Sequence, residues 1–298
     1  MVIFKSKQWS YKDLPYRIHD QGMLHRNESS GSIGGLTRTR CFCQDDAHIF
    51  STPEALGQEI TTILKMVQSV YGKFGMEVRA TLSTRPTKFM GETKEWDHAE
   101  QVLKEQLVMA AIPHGVAAGE GAFYGPKIDF VVKDSLGREW QTATVQLDFQ
   151  LPQRFELTYK NQQDQNCTPI VIHRAIYGSF ERFFGIMLEH TQGALPFWLA
   201  PTQVAVLTIN DRNLLAAQKV KDVLARNGIR VEINDSNNTL SQKVAVTIEK
   251  EIPIMAIVGD KEEASGQVSI RTKERNSGSV QPLLFFVDDM VAMNKFSF

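Results

Sequence analysis

The chain has 298 residues, 42% of them hydrophobic, with 33 lysines and arginines against 34 aspartates and glutamates. That length can bury a sizeable core in one or two domains, and a net charge of −1 excludes an indiscriminate nucleic-acid coat while leaving room for local basic surfaces. Cysteines at 41, 43 and 167 cannot form a disulfide framework, the start MVIFKSKQWS lacks a signal-peptide core, and no apolar run approaches membrane-spanning length, so a reducing, cytoplasmic setting with no membrane partner is expected.

In chain order, residues 22–50 read as a long hairpin whose tip is the Gly/Ser-rich stretch Ser29 to Gly35. Residues 54–74 carry Leu56, Ile60, Ile63, Leu64 and Val67 at helical spacing, and residues 76–82 alternate like a strand. A second helix is predicted over 96–110, then strands over 128–132 and 138–149. Residues 173–190 have a helical apolar side of Ile176, Phe180, Phe184, Met187 and Leu188. After Leu199-Ala200-Pro201 the rhythm changes to strand 203–209, helix 212–226, strand 229–233, helix 239–250 and strand 253–258, an αβ alternation around a mixed or parallel sheet. The tail from Ser277 to Phe298 shows no well-marked final helix. Domains are therefore expected at 1–198 and 199–298.

In the hairpin, Arg26 and Glu28 share one strand parity, and Arg38, Arg40, Phe42, Gln44, Asp46 and His48 share one face of the return strand. Guanidiniums clamp phosphate oxygens bidentately, and a carboxylate such as Asp46 can hold an ammonium group. The alternative for the same residues is a solvated hairpin with cross-strand ion pairs. His48 and His173, the latter at the start of helix 173–190, are either two ligands of a metal site or buried, hydrogen-bonded imidazoles. A catalytic zinc ordinarily holds three protein ligands, and Cys41 and Cys43 have the wrong strand parity to complete this pair.

Gly178 interrupts the predicted helix, where glycine destabilises, so a close approach is expected beside Arg182. Arg182 is suited to a nucleotide phosphate or to a carboxylate such as Glu181. Tyr124, Lys127, Gln141 and Gln146 form a polar set beside Gly119-Glu-Gly121, whose glycines equally serve tight turns. There is no Gly-x-Gly-x-x-Gly fingerprint and no Walker A sequence.

On these residues the chain resembles the class II threonyl-tRNA synthetases. Motif 2 of that family is matched by His25-Arg-Asn-Glu28 through Arg38 and Gln44-Asp-Asp-Ala-His48, and motif 3 by His173-Arg-Ala-Ile-Tyr-Gly-Ser-Phe-Glu-Arg182. Ser83-Thr-Arg-Pro86, Gly119 to Lys127 and Thr144 to Phe149 are also typical of it. The resemblance implies an α+β fold, a class II synthetase antiparallel sheet with helices, followed by an α/β anticodon-binding-like domain. It implies ATP and Mg²⁺ at a site where Arg26, Arg38 and Arg182 are catalytic and bind nucleotide together with Glu28 and Gln141. Gln44, Asp46, Tyr124, Lys127 and Gln146 would line the threonine side, Asp46 holding the ammonium group, and His48 and His173 would be zinc ligands. The implied activity is activation of threonine with ATP and its transfer to tRNA(Thr).

The sequence also departs from the family. The cysteine that is the third zinc ligand, motif 1 with its dimer contacts, and the editing domain are expected upstream of Met1, so zinc is expected without its cysteine and the family's homodimer without its main contact. Ser29-Ser30 and Ile33-Gly34-Gly35 replace a Pro-Ser pair and a hydrophobic-His-Gly stretch, and Asn234 to Lys243 replaces a more basic segment, which implies weakened tRNA binding with Arg271 and Lys273 as remaining candidates. The competing readings are a noncatalytic synthetase-like ATP- or RNA-binding or regulatory protein, an incomplete piece of the ligase, or a ligase that charges another acceptor.

Overall fold

The computed structural model describes residues 1–273 and 278–295. The described elements run in chain order as α1 (Val2–Lys5), β1 (Tyr16–Asp20), β2 (Met23–His25), β3 (Cys41–Cys43), β4 (Asp46–Ser51), α2 (Leu56–Lys73), β5 (Val78–Ser83), α3 (Thr93–Met109), β6 (His114–Ala117), β7 (Lys127–Lys133), β8 (Glu139–Asp148), α4 (Gln150–Arg154), β9 (Tyr159–Lys160), β10 (Asn166–Cys167), β11 (Ile170–Ala175) and α5 (Phe180–Thr191). There follow β12 (Val204–Thr208), α6 (Leu214–Arg226), β13 (Val231–Asn234), α7 (Leu240–Glu249), β14 (Ile254–Val258), α8 (Asp260–Ser265), β15 (Gln267–Thr272), β16 (Ser279–Pro282) and α9 (Leu283–Met293). Two compact units divide between His190 and Thr191, ahead of the change of rhythm at Leu199-Ala200-Pro201.

The first unit is built on a seven-stranded sheet of order β1-β4-β11-β8-β7-β5-β6, antiparallel except for the β5–β6 pair. The α2 helix forms because Leu56, Ile60, Ile63, Leu64, Val67, Val70 and Tyr71 recur every three or four residues and are all buried. It stops where Gly75 takes a positive φ of 67°. At the sheet's other margin Phe4 stacks between Trp9 and Phe50, at 4.7 and 4.3 Å, and so fastens the N-terminal segment to β4.

Two expectations about this unit are corrected. Residues 173–175 are strand, not helix: His173 sits within β11, and α5 begins at Phe180. Gly178 lies in the turn between them with φ 81°, a conformation no helix interior contains. The return arm of the first hairpin is also not one strand. It breaks at Gln44–Asp45, so that β3 pairs with β2 in a separate two-stranded ribbon while β4 pairs with β1 and β11 in the main sheet.

The second unit has a five-stranded sheet of order β13-β12-β14-β15-β16, with parallel pairs β12–β13 and β12–β14 and antiparallel pairs beyond. Val204, Val206, Ala256 and Val258 pack with α6 and α9 residues, whereas Ala205, Leu207 and Met255 pack with Val244 of α7. Burial on both faces is why these strands read as continuous apolar runs. Within the tail, α9 is a definite helix fastened by Phe286, Val287 and Met290, contrary to the expectation of no marked final helix; Ser277 and residues 296–298 lie outside the described residues.

Candidate functional site

The first unit contains a cavity of about 580 Å³ lined from four directions. The β2–β3 ribbon and its loop contribute Arg26, Glu28, Arg38 and Phe42, and Gln44 comes from the strand break. The sheet floor contributes Lys127, Gln141 and Gln146, the preceding loop Tyr124, and the turn into α5 Gly178, Ser179 and Arg182. Nine of the expected residues thus face one space, although they arise from segments far apart in sequence. Asp46 and His48 line a separate cavity of about 220 Å³ with Ile18, Leu24 and Phe50, and Gln44 borders both.

Three guanidiniums border the larger cavity. Arg38 pairs with Glu28 at 3.0 Å, Arg40 donates its Nε to the Glu28 carbonyl at 2.9 Å, and Arg26 stacks over Phe42 at 5.0 Å. Arg182 donates Nε to the Gln141 carbonyl at 3.0 Å and Nη1 to the carbonyl of Thr37, next to Arg38, at 2.7 Å, and lies 5.4 Å from the Trp140 ring. No carboxylate pairs with Arg182 among the described residues. Its sequence neighbour Glu181 instead accepts the Cys43 N–H on both oxygens at 3.1 Å. Burial, and then the charge of Arg38, lower the Arg182 pKa, as expected for a desolvated guanidinium beside a like charge.

The floor is pre-organised by its own contacts. Lys127 is held by Asp129 at 2.7 Å, Asp129 also accepts from Thr144 at 3.1 Å, and the Tyr124 hydroxyl donates to Gln146 at 2.9 Å. Burial, with the nearby Asp148 and Asp46 charges, pushes the Tyr124 pKa up and keeps it a neutral donor. Two glycines here answer to packing rather than to turn geometry. A Cβ on Gly125 would fall 1.7 Å from the Leu147 carbonyl, and one on Gly121 would fall 2.6 Å from that of Thr84.

His48 and His173 are directly opposed residues of β4 and β11, with ring centroids 4.5 Å apart. The Nε2 of His173 lies 3.0 Å from the fully buried Asp148 carboxylate. Burial first, and then the neighbouring His173, lower the His48 pKa and favour a neutral ring with a lone pair to offer. These two imidazoles suit a metal, but they do not complete a site: no group of three or more His, Cys, Asp or Glu side chains converges as metal ligands among the described residues. Cys41, whose Sγ is 2.9 Å from Met23 Sδ, belongs to the separate ribbon.

Sequence reasoning passed over one residue of this region, Asp45. It is buried and accepts the N–H groups of Ile176 and Tyr177 at 2.7 and 3.0 Å and the Arg174 guanidinium at 3.3 Å. Its position between two apolar-flanked polar residues carried no periodic signal.

In the second unit, Lys243 is buried, with Nζ 2.9 Å from both the carbonyl and the hydroxyl of Thr208. Lys273 pairs with Glu251 at 2.7 Å. Neither is a free surface cation.

An antiparallel sheet carrying an arginine-bearing ribbon is joined in sequence to an α/β unit with a mixed sheet, and both units match models of the class II tRNA synthetases. The chain belongs to that family: residues 1–191 match the tRNA synthetase class II core domain (G, H, P, S and T), and residues 203–287 match the anticodon binding domain. Within the class, it is 46% identical over 290 residues to the threonine–tRNA ligase of Thermotoga neapolitana, covering 97% of this chain and 45% of that protein. It is 43% identical over 292 residues to the threonine–tRNA ligase of Carboxydothermus hydrogenoformans, covering 98% and 46%. The crystal structure of the RNA binding domain of threonyl-tRNA synthetase from Cryptosporidium parvum superposes with a TM-score of 0.93 at 39% identity, covering 99% of this chain and 75% of that one. The chain spans about half the length of the curated relatives it matches. No helix among the described residues is long and apolar enough to cross a membrane.

Proposed function

We propose that this chain carries the nucleotide- and threonine-binding part of a threonine–tRNA ligase, which activates threonine with ATP and transfers it to tRNA(Thr). The observation that carries this reading is the single cavity bordered by Arg26, Arg38 and Arg182, the last with no carboxylate partner among the described residues, above a polar floor. Three guanidiniums, of which only Arg38 is paired to a carboxylate, suit a triphosphate and its Mg²⁺. In this reading Arg26 clamps the α-phosphate, Glu28 meets the adenine amino group, Arg38 contacts phosphate close by, and Arg182 takes the γ-phosphate side. Gln141 lines the nucleotide end.

Threonine lies towards Gln44, which borders both cavities, with Asp46 on its ammonium group and Tyr124, Lys127 and Gln146 along the cleft. A threonine carboxylate oxygen attacks the α-phosphorus as the bond to pyrophosphate breaks, and the terminal ribose hydroxyl of tRNA then attacks the adenylate carbonyl and displaces AMP. The protein's part is alignment and neutralisation of developing charge, not covalent catalysis. His48 and His173 are the chain's candidates for a zinc that would read the threonine hydroxyl, but two donors leave that group outside the steps written here. A homodimer and a cytoplasmic location belong to the same reading. The test is threonine-dependent ATP–pyrophosphate exchange by the purified chain with zinc and magnesium supplied and serine and valine as controls.

A second reading, a synthetase-like ATP- or RNA-binding or regulatory protein without ligase activity, is favoured by the incomplete metal set and by the burial of Lys243, which is the one basic residue of the segment 234–243. MgATP binding without exchange selects it.

A further inference from the structure

The motif 2 arm and the turn before α5 are clasped by two carboxylates reaching in opposite directions. Asp45, at the break between β3 and β4, takes the backbone N–H groups of Ile176 and Tyr177 on its two oxygens at 2.7 and 3.0 Å. Glu181, in the first turn of α5, reaches back to the N–H of Cys43 at 3.1 Å. Between them Gln44 and Ser179 form an isolated backbone bridge, and the Tyr71 hydroxyl donates to the Ile176 carbonyl at 2.5 Å. The clasped turn contains Gly178 at φ 81°, pressed so closely on β8 that a Cβ would sit 2.8 Å from the Thr142 carbonyl. It leads directly to Arg182, whose backbone N–H is capped by Ser179 Oγ at 3.1 Å.

Asp45 lines neither cavity, yet a carboxylate is buried there at a desolvation cost. Two N–H groups and a guanidinium converging on it offset part of that cost, burial still leaving the carboxyl above its ordinary pKa. We propose that Asp45, with Glu181 as its reciprocal partner, is a positioning residue of the nucleotide site: it fixes the turn that delivers the Arg182 guanidinium into the cavity it shares with Arg26 and Arg38. This rests on the ligase reading, in which Arg182 meets the distal phosphates of ATP. Asparagine at position 45 keeps the shape but places an NH₂ group against one of the two backbone donors, which forces the turn to shift or to lose a bond.

The test uses calorimetric titration of the full chain with MgATP and, separately, with AMP, which lacks the phosphates assigned to Arg182. Asp45→Asn is expected to weaken MgATP binding about tenfold, the scale of one disturbed charge-assisted contact, while AMP affinity stays within about twofold. Glu181→Ala, at a less buried position and so safer for folding, removes the acceptor of the Cys43 N–H and is expected to show the same ATP-selective loss. Adding Asp45→Asn to Arg182→Ala should weaken MgATP binding no further than Arg182→Ala alone. Unchanged MgATP affinity in both single variants, equal losses for ATP and AMP, or additive losses in the double variant would each overturn the positioning role while leaving the ligase reading standing. A native chain that binds no MgATP overturns both.

Discussion

His48 and His173 face each other across the β4–β11 pair with their rings nearly perpendicular, at 78°, and only His173 is tied to a carboxylate, that of Asp148. A pair supplied by rigid central strands is well aligned for a metal but holds half of a tetrahedral set. The purified chain is therefore expected to take up zinc weakly and to lose it on gel filtration against a mild chelator, and His48→Gln should abolish the residual uptake. Elemental analysis of the filtered protein checks this. Retention of one zinc per chain would mean that another protein group completes the site.

The location of this pair also marks where sequence reasoning was sufficient and where it failed. The helix over residues 54–74 was legible because its apolar face repeats every three to four residues over a long span and is buried against one layer. The nine residues that now face one cavity were legible through their chemistry and the family motifs. His173 was misplaced because Ile170-Val-Ile172 is buried on both faces of a central strand and so lacks the alternation that identifies strands, while the apolar side of α5 continues its rhythm backwards. The break at Gln44–Asp45 left no pattern at all. It is held by contacts to residues 174–177, and local propensity carries no information about partners so far along the chain.

Asp134 organises the β7–β8 turn by accepting the N–H groups of Leu136 and Arg138, both at 2.9 Å, the Arg138 Nε at 2.7 Å and the Trp140 indole at 3.0 Å. Burial pushes its carboxyl up, but the hydrogen bonds from Trp140, Arg138 and Leu136 outweigh this and hold it at about 2 against an ordinary 3.8. A folded pKa below the unfolded one means that the unfolded chain binds the proton more readily. The stabilisation is therefore full above about pH 4 and is lost as pH falls towards about 2. Asp134→Asn is expected to cost about 2 kcal/mol at neutral pH, the scale for a buried charged acceptor, and much less near pH 2. Urea melts followed by tryptophan fluorescence at the two pH values test this. An equal deficit at both would show that the charge is not what holds the turn.

Glycine substitutions separate close packing from backbone freedom. Gly125→Ala would place its Cβ 1.7 Å from the Leu147 carbonyl, a backbone atom of a central strand that cannot yield, so a loss of about 3 kcal/mol or more is expected. Gly72, inside α2, has nothing within 4 Å of the point where an added methyl would sit, and Gly72→Ala should add roughly 0.5–1 kcal/mol by helix propensity alone. Thermal melts of the two variants are expected to move in opposite directions. A Gly125→Ala protein as stable as the native chain would remove the argument that this glycine is required for packing beside Tyr124.

Arg26 and Arg182 reach the larger cavity from different elements, one stacked on Phe42 and the other hung from two backbone carbonyls. If both meet phosphates, Arg26→Ala and Arg182→Ala should each weaken MgATP binding by about tenfold or more, and each should flatten its salt dependence. Arg182→Lys is expected to recover little of the loss, because one ammonium on a flexible stem cannot satisfy the Gln141 and Thr37 carbonyls and still present a planar face to a ligand. Arg38→Ala carries a further consequence, since it strands the Glu28 carboxylate beside the bound polyanion. Its loss should therefore exceed that of Arg38→Ala combined with Glu28→Gln. Calorimetric titration of the five proteins with MgATP measures all of these, and an Arg26→Ala chain with native affinity would remove Arg26 from the nucleotide site.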